Sequence, residues 1–184
     1  MKTPCSRFAR LLASALLSVL LSAILAAPAF AQDEGAGLGQ RGASIFLEAS
    51  AATVGQGYGV LWGGSGGGYV QGRVLGFVAR ATALPSNANT RVYDAVLGPR
   101  LAVGLPFVRL FVEAGGGIGN SGYYNSVGAY STSWGAAWQA NAGVTHGILP
   151  RLDWRILDLG YGHVYVGSGV SPVSASTGLT LHLW

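Results

Sequence analysis

The sequence predicts an all-β chain that closes into an eight-stranded, antiparallel, up-and-down transmembrane β-barrel. Residues 91–119, RVYDAVLGPRLAVGLPFVRLFVEAGGGIG, alternate with a period of two. That period marks strands whose two faces meet different surroundings. The sorting between the faces is inverted relative to a soluble protein. Tyr93, Ala95, Leu97, Pro99, Leu101, Val103 and Leu105 make one uniformly apolar face, while Asp94, Gly98, Arg100 and Gly104 share the other with Val92, Val96 and Ala102. No helical periodicity elsewhere offers a cover for the apolar face. Lipid outside and polar groups inside accommodate it. Finally, the connections alternate short and longer along an even number of strands, the asymmetry of outer-membrane barrels.

Taken in order, the chain opens on an address. Lys2, Arg7 and Arg10 are basic, residues 11–26 are an apolar run, and Ala29-Phe30-Ala31 puts small residues at −3 and −1. Residues 1–31 thus read as a signal peptide cut before Gln32, and export is expected. Cys5, the only cysteine, lies within it, so the mature chain has no thiol or disulfide chemistry. Residues 32–42 are a polar, glycine-rich leader. The barrel occupies residues 43–184.

The first strand is expected at 44–53, where Ile45, Leu47, Ala49 and Ala51 alternate with Phe46, Glu48 and Ser50. A glycine-rich loop follows. The second strand, 60–71, has a weak pattern and is placed by the need for a partner. The third, 75–84, opposes Leu75, Phe77, Ala79 and Ala81 to Val78, Arg80 and Thr82. Residues 85–90 are a loop by their turn residues. Residues 91–119 supply strands four and five, with Leu105, Pro106, Phe107 and Val108 in the turn. That turn sets Arg100 against Glu113. Residues 119–133, polar and aromatic without a period, are expected to be the longest loop, facing outward. Strand six, 134–146, carries Trp134, Ala136, Trp138, Ala140, Ala142 and Val144 on one face. Strand seven, from 152 to about 166, slips phase once. A β-bulge near Ile156 would restore Arg155 and Asp158 to one side. Strand eight runs from 173 to 184, with Ala175, Leu179, Leu181 and Leu183 outward.

The headline charge of +4 includes the three basic residues of the signal peptide. The remaining chain has eight arginines against seven acids, with no basic run, so nucleic acid is not an expected partner. Only 10% of residues are charged, against about a quarter in an ordinary soluble domain.

The segments 97–119 (LGPRLAVGLPFVRLFVEAGGGIG), 149–161 (LPRLDWRILDLGY) and the terminal GLTLHLW together resemble small eight-stranded outer-membrane β-barrels of the OmpA/OmpX kind, the "outer membrane β-barrel domain" proteins of Gram-negative bacteria. The resemblance covers essentially all of 43–184 and concerns architecture rather than activity. It implies residence in the outer membrane, contact with lipid and lipopolysaccharide, and delivery by periplasmic chaperones and the barrel-assembly machinery. It also implies that Trp184 serves as the assembly signal. Family members carry the terminal aromatic in phase with the apolar face, and here Trp184 is out of phase with Leu179, Leu181 and Leu183. No peptidoglycan-binding domain is expected after Trp184, and the protein is expected to be a monomer.

Candidate sites are structural ones. Glu48, Arg80, Asp94, Arg100, Arg109, Glu113, Arg155 and Asp158 share the non-lipid parity, given the bulge. An arginine facing lipid near the midplane would cost about 2–4 kcal/mol, whereas inside the barrel it can pair. An interior charge plug is therefore expected. Trp134 and Trp154 are expected in the aromatic girdle at the headgroup levels. Residues 117–122 match GxGxxG but precede no helix, so no nucleotide cofactor is expected. His146, His163 and His182 lie at no metal-ligand spacing. The expected function is that of a non-enzymatic, structural or porin-like outer-membrane scaffold with exposed loops. Two alternatives remain: a lipid A-modifying barrel enzyme using His163 with Ser168 or Ser171, and a soluble lipocalin-like ligand binder.

Overall fold

The computed structural model describes residues 42–55, 59–85, 90–124, 130–167 and 169–183. The expected signal peptide, most of the leader and Trp184 lie outside the described residues. Eight strands follow one another: β1 (Gly42–Thr53), β2 (Val60–Gln71), β3 (Leu75–Leu84), β4 (Thr90–Gly104), β5 (Arg109–Tyr124), β6 (Tyr130–Leu149), β7 (Leu152–Val164) and β8 (Val173–His182). Each pairs antiparallel with the next, and β1 pairs with β8 to close the barrel.

Three tight connections lie at the end that also holds the start of β1 and the end of β8. Gly72 N–H donates to Leu75 O at 2.8 Å, Leu105 N–H donates to Val108 O at 2.7 Å, and Pro150 and Arg151 link β6 to β7. The four-residue turn fixes the register between β4 and β5. Gly104 faces Arg109 and Arg100 faces Glu113.

The faces sort by parity around the whole circumference. Leu47, Val70, Phe77, Leu97, Ile118 and Leu179 point outward and are exposed, while Glu48, Arg80, Arg100, Glu113, Arg155 and Asp158 are buried. A soluble lipocalin-like barrel would require the reverse. The bulge in β7 makes the sorting possible there. Between Arg155 and Asp158 the strand spends three steps where β8 spends two, from Gly178 to Ser176. Ile156 and Leu157 both face outward, and the two charged residues both face inward.

One expected loop is largely strand. Residues 119–124 and 130–133 continue the β5–β6 ladder, with Asn120 opposite Trp134 and Gly122 opposite Thr132. Away from the apolar band both faces of a strand meet polar surroundings, so hydropathy loses its period while backbone pairing continues. The GxGxxG match at residues 117–122 lies inside β5. Gly117 is a glycine for steric reasons: a Cβ there would sit 2.0 Å from the Ala95 carbonyl oxygen of β4.

Candidate functional site

The lumen is filled in levels. Nearest the tight turns, Arg109 on β5 and His182 on β8 converge on Asp153 of β7. Arg109 Nη1 and His182 Nε2 lie 3.0 and 2.9 Å from Asp153 Oδ2. The opposite ring nitrogen of His182, Nδ1, is 2.8 Å from Ser44 Oγ on β1. This group bridges the first and last strands.

One level further in, five strands contribute six charged side chains to a single cluster. Arg80 Nη1 binds Glu48 Oε2 at 2.8 Å, and its Nη2 binds Glu113 Oε2 at 2.8 Å and Asp158 Oδ2 at 2.6 Å. Arg100 Nη1 is hydrogen-bonded to Glu113 Oε1. Arg155 reaches Glu48 Oε1 at 2.6 Å, Asp158 Oδ2 at 2.8 Å and Glu113 Oε1 at 3.4 Å. Three guanidiniums face three carboxylates, so the cluster is formally neutral. Neutral side chains satisfy much of what is left. Ser65 Oγ donates to Glu48 at 2.6 Å, Asn141 Nδ2 donates to Asp158 at 3.1 Å, and Arg100 Nε donates to Gln71 Oε1 at 3.2 Å. A buried charge is tolerable when it is both paired and hydrogen-bonded, and these are.

Aromatic faces complete the cluster. The Arg100 guanidinium lies 4.1 Å from the Tyr69 ring centre and 4.4 Å from that of Phe111. Arg155 is held in the same way between Phe46, at 4.3 Å, and Phe111, at 4.2 Å. Phe46 also lies under Arg80 at 4.9 Å. Guanidiniums are flat and weakly hydrated, so they stack on rings where an ammonium would not. Phe46 and Phe111 share the interior parity, and their role depends on which strands face each other across the lumen.

Of the eight charged residues on the interior parity, the structure brings six together. Arg109 stands apart at the mouth, paired with Asp153. Asp94 lies one level further out, opposite Thr82 in the β3–β4 ladder, while Ser50, Ser65 and Ser176 on β1, β2 and β8 hydrogen-bond to one another. Beyond it the lumen turns apolar, with Ala52, Leu61, Leu84, Val92, Ala137, Val164 and Val166 in mutual contact.

On the outer surface, Trp134 and Trp154 both point away from the barrel, each near the start of its strand and so toward opposite ends of the antiparallel β6–β7 pair. Trp154 Nε1 donates to Thr177 Oγ1 at 3.1 Å. His163 Nδ1 is 2.7 Å from Ser171 Oγ, and no carboxylate joins that pair among the described residues. Ser168 lies outside the described residues.

No family model matches the chain, and no curated protein matches it. Solved structures do. The Neisserial surface protein A is 15% identical, with a TM-score of 0.63 over 79% of this chain and 99% of that one. The N-terminal β-barrel domain of Pseudomonas aeruginosa OprF is 16% identical, with a TM-score of 0.51 over 77% of this chain and all of that domain. At such identities the likeness is one of backbone. The chain has the fold of the small eight-stranded outer-membrane β-barrels.

Proposed function

We propose that this protein is an integral outer-membrane β-barrel that acts as a closed scaffold presenting its longer connections to the outside. The observation that carries this is the inverted sorting of the wall. Leu47 is 72% exposed and Val70 63% exposed on the outer face, while Arg155 and Asp158 are 0% exposed inside. In water that arrangement would present apolar residues on every strand to solvent; in a bilayer it is the low-energy one. Trp134 and Trp154 then sit at the two headgroup levels. The ion-pair cluster acts as a plug and the apolar level beyond it as a second, water-excluding closure. Poor conduction of ions is therefore expected.

Lipid and lipopolysaccharide are the partners of the wall in this reading, and periplasmic chaperones and the barrel-assembly machinery those of the nascent chain. Trp184, which lies outside the described residues, is the proposed assembly signal. Deleting it should lower the folded fraction in the outer membrane.

Membrane fractionation followed by gel electrophoresis with and without boiling tests the main reading. The protein should partition with the outer membrane, require detergent for extraction and migrate faster unboiled. A chain that stays monodisperse and folded in detergent-free buffer would overturn the proposal.

A further inference from the structure

The charges inside the barrel balance except at one position. Among the described residues the lumen holds the acids Glu48, Asp94, Glu113, Asp153 and Asp158 and the guanidiniums of Arg80, Arg100, Arg109 and Arg155. Each guanidinium lies within ion-pair distance of a carboxylate, and each acid except Asp94 has such a partner. Asp94 is 9% exposed, and its Oδ1 meets no hydrogen-bond partner. Thr82, directly opposite on β3, is 6% exposed, and its Oγ1 has none either. Two unsatisfied oxygens from neighbouring strands thus share one rung of the lumen.

The nearest arginine along β3 makes no ion pair with Asp94. Both terminal nitrogens of Arg80 are committed to Glu48, Glu113 and Asp158. Its Nε bonds to nothing, so that edge does not reach Asp94. On the outer side the next interior residues of the same two strands are Leu84 and Val92, both fully buried. A carboxylate enclosed in this way, with no ion-pair partner, is disfavoured. A proton or a cation from solution would supply the partner that the barrel's own arginines do not.

We propose that Asp94 and Thr82 form a binding site for one alkali-metal cation, lodged between the ion-pair cluster and the apolar level of the lumen. The donors are a carboxylate and a hydroxyl, oxygen ligands that suit hard cations rather than zinc or copper. A single uncompensated carboxylate matches a single positive charge, and a divalent ion would leave one charge in excess. The site lies within the barrel wall's own register, so its integrity depends on the barrel being closed. Binding is therefore linked to folding.

The test uses the mature chain refolded in detergent micelles and unfolded by urea. Sodium chloride replaces N-methylglucamine chloride at constant ionic strength. Above the dissociation constant, the folded-to-unfolded ratio of the wild type should rise toward tenfold for each tenfold rise in sodium. Asp94→Asn, which keeps the shape and removes the charge, should show a flat response. Thr82→Val keeps the carboxylate and should show a weakened one, which preserves the test if the first variant folds poorly. A wild-type sodium response in both variants would overturn the proposal. So would a wild type that ignores sodium while its stability follows pH, because a proton would then fill the place.

Discussion

Arg100 and Glu113 face each other across the β4–β5 ladder and are hydrogen-bonded inside the barrel. The pair sits at the junction of the cluster, because Glu113 also binds Arg80 at 2.8 Å and lies 3.4 Å from Arg155. Glu113→Ala leaves three guanidiniums facing two carboxylates. It should destabilise the barrel by about 3–5 kcal/mol, the usual cost of stranding a buried charge. Arg100→Ala in the same chain restores neutrality and should recover much of that loss. Equilibrium urea unfolding of the four chains in the double-mutant cycle gives the coupling, and simple additivity would show that the two side chains act independently.

The stacking of Arg155 between Phe46 and Phe111 makes a second prediction. Arg155→Lys keeps the charge but loses the flat surface and the forked donors. The expected loss is about 2 kcal/mol, from a desolvated cation–π contact and unshared hydrogen bonds. The same unfolding measurement reads it, and a neutral result would mean that charge alone holds the cluster.

Two adjacent glycines separate steric need from chance. A Cβ at Gly117 would meet Ala95 O at 2.0 Å, whereas one at Gly116 finds its nearest neighbour, Ala137 O, at 4.0 Å. Gly117→Ala should cost about 1–3 kcal/mol as an overpacking change and lower the refolding yield. Gly116→Ala should refold like the wild type. Equal yields would mean that the wall around β4 and β5 yields more readily than its geometry implies.

Topology can be read on intact cells. The only cysteine of the sequence, Cys5, precedes the mature chain in the proposed processing. A single cysteine in place of Ser133, exposed on β6 toward the longer connections, should react with a membrane-impermeant thiol reagent. One in place of Gly147, beside the tight turn to β7, should react only after the outer membrane is breached. The opposite pattern would invert the barrel in the membrane.

Much of this architecture was legible because a strand in a two-sided wall records its surroundings residue by residue. The phase slip at Ile156 could be read as a bulge, since Arg155 and Asp158 had to end on one side. The ends of β5 and β6 could not be read, because Gly119, Asn120, Ser121 and Gly122 carry no contrast between faces. The cluster was legible as parity and not as membership. Asp94 and Arg109 share the parity of the six cluster residues, but parity does not measure height along the barrel. Asp94 stands further along β4 than Arg100, too far out, and Arg109 lies nearer the turn than Glu113 on β5, too close to the mouth. Asp153 drew no attention at its strand end and His182 was weighed only as a metal ligand, although they meet at 2.9 Å across β7 and β8. Phe46, Tyr69 and Phe111 needed the closed barrel before they could be recognised as stacking surfaces.

The alternation that builds the wall also bears on how such a chain leaves the cell interior. A spanning helix gathers about 20 apolar residues in succession, which is what halts a chain in the inner membrane. Here every second residue of a strand belongs to the lumen, so Leu97 and Leu101 are separated by Gly98 and Arg100, and Leu179 and Leu181 by Thr180. The apolar surface of the wall is thus dispersed along the unfolded chain, and under the proposed function a translocating machinery would meet no continuous strand segment on which to stop. It becomes a continuous band only when the strands close side by side.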